Sequence, residues 1–228
     1  MKTSNKILLG IFLTIIILTT VVQLMVYAKY KRGEFTAFKR EQFIPMTFLP
    51  VPPARYVSLN GFGNCAVKSS DTFKLEMQQD ITRFIKYHVV NDTLFVNDTR
   101  FTEYELERGT RNNGLVNIYL PASVQLKGAY GSFRIYGAND SASAPSYTIS
   151  LKNTYLFPDN ASVYFSQLNI YSESSRIDLN RHAVFHDLNL QMKDSRLMDN
   201  SATIRKLTMA SDNTSSLELS GKNVNALK

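Results

Sequence analysis

The phrase FSQLNI at residues 165–170 returns as FHDLNL at 185–190 and as IRKLTM at 204–209, and VNAL at 224–227 begins it once more. Phe165, Phe185, Ile204 and Val224 form one column with spacings of 20, 19 and 20 residues, and Leu168, Leu188, Leu207 and Leu227 form a second in step with it. Ile170, Leu190 and Met209 make a third. A polar stretch follows each phrase, and then a second pair: Ser175 with Ile177, Ser195 with Leu197, Ser215 with Leu217. Self-similarity at a fixed period marks an architecture in which each unit cannot bury its apolar face alone and must stack on the next.

Within each unit the apolar residues alternate, as in Leu168-x-Ile170, Ile177-x-Leu179 and Leu188-x-Leu190. A period of two is that of a strand with one face inward. The clusters between the runs, 172–175, 198–201 and 211–214, are built of Ser, Asn, Asp, Thr, Glu and Met, and the first three types favour turns by bonding nearby backbone groups. Two short strands and two corners in about 20 residues fit a coil of a parallel β-helix, whereas helical repeats need about 33 residues or more. The expected fold is all-β, a short right-handed parallel β-helix with one N-terminal transmembrane helix before it. In-register stacking would set Ser175, Ser195 and Ser215 above one another as corner residues bonded along the stack.

Residues 7–28 are an uncharged run of 22 in which Gln23 and three threonines are the clearly polar members. About 20 such residues cross a bilayer as a helix, and a cleaved signal peptide normally has an apolar region of only about 7–15. A signal anchor over residues 1–28 is therefore expected, with Val26-Tyr27-Ala28 as the alternative cleavage site. The chain is expected to be single-pass in the cell membrane, with its C-terminal domain periplasmic or extracellular. Positive charge flanks both sides of the span; the amino terminus is placed in the cytoplasm because an Asn-, Ser- and Thr-rich β-domain suits the cell envelope. Residues 29–54 read as a linker, first basic with interspersed aromatics suited to anionic head groups, then carrying Pro45, Pro50, Pro52 and Pro53 as an extended spacer. The β-solenoid is expected over residues 55–228, its irregular end toward the membrane.

The net charge is +7, but seven of the 26 basic residues and only one of the 19 acidic ones precede residue 41. The remainder is nearly neutral at +1, which argues against nucleic acid as a partner. The single Cys65 can form no internal disulfide and is expected as a small buried hydrophobe.

From Tyr56 the alternation runs through Leu59, turns at 61–64 and resumes at Cys65. Asp80–Val90 is ambiguous between helix and strand, with a strand expected at its end, since Asn91-Asp92 separates it from Leu94-Phe95-Val96 as in a hairpin. Thr102–Asn113 reads as a solvated loop. Val116-x-Ile118-x-Leu120 is a strand stopped by Pro121. Two short runs, Val124-x-Leu126 and Phe133-x-Ile135, follow, and Ala138–Ser146 reads as an inserted loop before Tyr147-x-Ile149-x-Leu151.

The phrases at 56–61 (YVSLNG), 91–96 (NDTLFV) and 117–121 (NIYLP), with the ladder after Leu168, resemble the GIN-type head domains of the auto-transporter adhesin-like envelope proteins of Bacteroidetes. The resemblance covers residues 55–228 and implies a short right-handed parallel β-helix. It implies no reaction and no ligand, and carries over no functional residue. This chain departs from the family's frequent Gly-rich turns, with Ser, Asn and Asp in their place.

Chemistry-bearing patterns are few. His182 and His186 stand four apart beside Asp187, but on a corner entering a strand they share no helical face, so no metal site is expected. Asp178, Asp187, Asp194 and Asp199 are read as corner residues before they are read as glycosidase carboxylates. No catalytic residue and no cofactor site is expected. Tyr119, Tyr130, Tyr136, Tyr147, Tyr155, Tyr164 and Tyr171 are good strand residues that, if outward, could stack on sugar rings. Val224, Ala226 and Leu227 begin another coil and mark an open solenoid end that could meet a protein partner or a second copy. The function expected is a membrane-anchored, non-enzymatic solenoid for binding, adhesion or scaffolding, with a glycan as one candidate ligand. The alternatives are a small glycan hydrolase or lyase on the same scaffold, or a spacer or sensor.

Overall fold

A computed structural model describes residues 3–33, 45–100, 115–121, 123–159, 161–180 and 182–225. The chain divides into two compact units, one up to Phe43 and the other from Ile44. The first contains α1 (Thr3–Lys31), in which Asn5–Lys31 is long and apolar enough to cross a membrane. At about 1.5 Å per residue it exceeds the roughly 30 Å hydrocarbon thickness. Two of its threonine hydroxyls are satisfied within the helix: Thr14 donates to the Gly10 carbonyl at 2.9 Å and Thr20 to that of Ile16 at 2.8 Å, so neither needs water.

The second unit is a β-solenoid. Its strands are β1 (Met46–Pro50), β2 (Tyr56–Asn60), β3 (Cys65–Ser69), β4 (Lys74–Gln78), β5 (Ile85–Val90), β6 (Thr93–Asp98), β7 (Val116–Leu120) and β8 (Gln125–Ile135). The regular part continues through β9 (Ser146–Pro158), β10 (Val163–Glu173), β11 (Arg176–Leu179), β12 (Ala183–Lys193), β13 (Arg196–Asp199), β14 (Thr203–Ser211) and β15 (Ser216–Glu218), ending in a short helix α2 (Gly221–Val224).

The repeat columns are the register. Phe165 lies opposite Phe185, which lies opposite Ile204, and Leu168, Leu188 and Leu207 align in the same way. All six are buried, and the rings of Phe165 and Phe185 stack at 5.0 Å. Ile177, Leu197 and Leu217 align on the next side of the coil. Between these two sides the chain bends at one left-handed residue per coil: Tyr130, Asn153, Ser174 and Asp194 have φ of 48–49°. Asn and Asp enter that region at small cost. The residue after each of the last three, Thr154, Ser175 or Ser195, points inward and is buried. The expected serine column is therefore real, and Thr154 extends it by one coil.

The N-terminal part is wound out of sequence order. β2 pairs in parallel with the first half of β8 on one side and with β6 on the other. β3 lies likewise between the second half of β8 and β7. The coil formed by β6 and β7 thus sits outside the coil formed by β2 and β3, although the chain makes it later. Antiparallel strands close this end: β5 on β6, β4 on β7 and β1 on β4. Asn91 and Asp92, at φ 48° and 59°, make the tight turn from β5 to β6, as the hairpin reading expects. Gly61, at φ 81°, turns β2 toward β3 where a Cβ would lie 2.6 Å from the Asp98 carbonyl oxygen.

Four expectations shift. Met46–Pro50, read as spacer, is an edge strand, a place where proline is tolerated. Asp80–Val90 resolves into a 3-10 turn, Gln79–Phe84, followed by β5. The two runs around Gly128 are one bent strand, β8, in which Gly128 leaves room for the Phe133 ring; a Cβ there would lie 2.6 Å from it. Val224 belongs to α2 and not to a further strand. The loop read at Thr102–Asn113 and part of the linker, 34–44, lie outside the described residues.

Candidate functional site

Because side chains alternate along each strand, the outward positions of aligned strands form rows along the stack. One row runs Ser58, Lys127, Ser150, Tyr171, Gln191, Ala210 across β2, β8, β9, β10, β12 and β14. Two residues further along the strands a second row runs Ala129, Lys152, Glu173, Lys193. Together with Asp212 these rows line a groove of about 750 Å³. Six strands at about 4.8 Å give it a length of roughly 24 Å.

Its walls and floor differ in size. Ser58, Ala129, Ser150 and Ala210 are small, while Tyr171 stands out of the sheet at 44% exposure. Lys127 and Lys152 are exposed and form no ion pair among the described residues. Lys193 reaches Glu173 at 3.6 Å, an exposed pair of little strength. Asp212 is committed to the last corner: it accepts from the backbone N–H groups of Asp194 and Ser215 and from the hydroxyls of Ser215 and Thr214. The Ser215 and Thr214 hydroxyls lead in holding its carboxyl down at about 2.

On the neighbouring surfaces several charged groups are paired internally. Beyond the bend, Arg176 makes a two-point pair with Asp178 at 2.9 and 2.8 Å and lies over the Tyr155 ring, while Arg196 reaches Glu218 at 3.6 Å. Lys68 lies over the rings of Tyr119 and Tyr136, and Lys74 over those of Tyr119 and Phe48. Glu76 accepts from the Tyr119 hydroxyl at 2.7 Å. Burial, and then that carboxylate, push the Tyr119 hydroxyl up to about 12.

The residues singled out in the sequence are dispersed. Of the tyrosines, Tyr171 lines the groove, whereas Tyr147 is buried and donates to the Tyr136 carbonyl. His186 meets the Ser141 hydroxyl at 3.0 Å, and no cluster of three metal-ligating side chains occurs among the described residues. Asp178 holds Arg176, Asp187 lies 3.7 Å from Lys206, and Asp194 accepts from Ser174. Asp199 accepts from the Ala202 N–H, from the N–H and hydroxyl of Ser220 and from the Asn223 amide. Each of these four is held by partners of its own. At the C-terminal end, Val224 is 49% exposed and Ala226 and Leu227 lie outside the described residues. Sequence reading passed over Lys127, Lys152, Lys193 and Gln191. Their signal was position alone, on the outward side of columns whose inward side was recognised.

No family model and no curated protein matches the chain. Among solved structures it is similar to a "putative adhesin" from Parabacteroides distasonis ATCC 8503, at 9% identity over 76% of this chain and 72% of that one, with a TM-score of 0.48. It is also similar to a "putative adhesin" from Bacteroides fragilis NCTC 9343, at 10% identity over 78% and 97% with a TM-score of 0.36. A "putative lipid binding protein" from the same Parabacteroides strain matches at 9% identity over 76% and 93%, with a TM-score of 0.34.

Proposed function

We propose that this is a membrane-anchored, non-enzymatic cell-envelope protein whose solenoid binds a ligand along the groove and serves adhesion or scaffolding. α1 is held in the membrane as an uncleaved anchor, the residues between Lys31 and Met46 join it to the solenoid sheet, and the C-terminal domain lies on the periplasmic or extracellular side. The GIN-type resemblance of residues 55–228 supports the envelope assignment.

The observation that carries the binding reading is the contrast within the surface: Lys127, Lys152 and Tyr171 are uncommitted, while the cations beyond the bend are paired. A glycan hydrolase would need two facing carboxyls whose environments hold one protonated. Of the groove's two, Asp212 is tied into a corner and stays ionised, which leaves Glu173 alone. A glycan array followed by analysis of the recovered sugars tests this reading: retained, uncut sugar is expected, and shortened products would overturn it. Sequencing the N-terminus of the membrane-extracted protein tests the anchor, and a mature start after Ala28 would exclude it.

The C-terminal end at Val224, Ala226 and Leu227 belongs to the same reading as a contact for a second copy. The outer edge of β14 pairs with no strand among the described residues, and Leu217 and Val224 are exposed there. Light scattering that finds only monomer at high concentration would count against it.

A further inference from the structure

We infer that the groove takes a linear acidic glycan lying along the solenoid axis, with carboxylates on alternate sugars. This rests on the binding reading of the groove and names its ligand class. A ligand running along the rows crosses the strands at right angles and meets side chains only, because β8, β9, β10 and β12 each spend their backbone groups on neighbours at both sides. A peptide added as a strand finds no free edge between β8 and β12. Ser58, Ser150 and Ser211 set hydroxyls into a lining that also holds Ala129, Leu151 and Met192.

Charge sign alternates along the second row: Lys152, Glu173 and Lys193 occupy successive strands. The two lysines are therefore about 9–10 Å apart, two strand spacings, which is the length scale of one disaccharide in an extended glycan. A phosphate backbone, charged at every step, would set one of its charges against Glu173. A polymer with a uronate at every second sugar places its carboxylates on Lys152 and Lys193 and an uncharged sugar over Glu173, which can accept from its hydroxyls. Lys127, one strand before Lys152, extends the positive side. Tyr171 stands between the lysines, where its ring offers a platform to the apolar face of a pyranose, and Gln191 beside it can both donate and accept.

The test uses the full chain in detergent micelles, titrated calorimetrically with a hyaluronan hexasaccharide, which alternates uronate and neutral sugars, and with chitohexaose, which is neutral. The hyaluronan oligomer is expected to bind at least about tenfold more tightly, with an affinity that falls as salt rises. The double variant Lys152→Gln with Lys193→Gln should remove that preference, and Tyr171→Ala should weaken both ligands by about tenfold or more. Lys86→Gln, on the distant β5, should change neither. Equal affinity for the two oligomers, an unaltered preference in the double variant, or no binding of either overturns the inference and leaves a non-enzymatic binder of something else. A shortened hyaluronan oligomer would instead overturn the binding reading itself.

Discussion

The backbone N–H of Ser175 donates to the Oγ of Ser195 at 3.1 Å, one coil further along the stack. Thr154 donates in the same way to Ser175, and Ser195 to Ser215, while each of the hydroxyls of Thr154, Ser175 and Ser195 turns back to the carbonyl two residues earlier. The corner where the strand ladder is interrupted is thus bridged by a ladder of hydroxyls.

Removing one rung strands a buried donor. Ser195→Ala leaves the Ser175 N–H without its acceptor, a loss of about 1–3 kcal/mol. Ser195→Thr should stay close to the parent, because Thr154 fills the same position one side of the column. Urea unfolding followed by circular dichroism measures both, and equal losses would refute the ladder.

Asn223 closes the last coil. Its side chain is fully buried, donates to Asp199 at 2.6 Å and to the Ala202 carbonyl at 2.7 Å, and accepts from the Ile204 N–H at 3.2 Å. The Ile204 bond replaces one that a further strand would have made. Asn223→Ala should cost about 2–4 kcal/mol, because it frees a charged acceptor and a backbone donor. Amide exchange at Ile204 should accelerate before that at Phe165; uniform acceleration would mean that Asn223 acts on the whole stack.

Asp212 gives the last corner an acid-sensitive part. Its carboxyl is held at about 2, below an unfolded value near 3.9, so the stabilisation it contributes is complete above about pH 4 and disappears as pH falls toward 2. Asp212→Asn should therefore be less stable than the parent at pH 6, and the gap between the two should close on acidification. A gap that stays constant from pH 6 to pH 2 would contradict the assignment.

Cys65 is fully buried on β3, and burial, followed by the Asp98 charge, pushes its thiol well up. Thiolate is the reactive form. Labelling with a disulfide reagent should be slow in the folded protein and should follow global unfolding as denaturant is added. Rapid labelling without denaturant would show that the β2–β3 coil opens locally.

The fixed-period part of the chain was legible because each coil follows the previous one by nearly the same number of residues. The columns under Phe165, Leu168 and Ser175 could therefore be written down before any pairing was known. The N-terminal half gives no such period: Tyr56 pairs with Thr93 on one side and Gln125 on the other, separations that composition does not encode. Val224 fits the periodic column but does not form a strand, because the preceding Asn223 already supplies the bond that a strand would make. The groove was hidden for a different reason. Hydrophobic columns report what points inward, and the lysines beside Tyr171 become neighbours only once the register is fixed.

The reversed stacking order of the first coils constrains how the molecule is born. A chain leaving the ribosome delivers β2 and β3 with neither flanking strand yet made; one side waits for residues 93–120 and the other for 125–135. Winding cannot advance steadily from the amino end, since the second layer is synthesised before the first. Long-range pairing of this kind is slow and leaves strand edges open meanwhile. The evenly spaced carboxyl-terminal coils, whose partners lie about 20 residues apart, are the natural seed on which the earlier segments close.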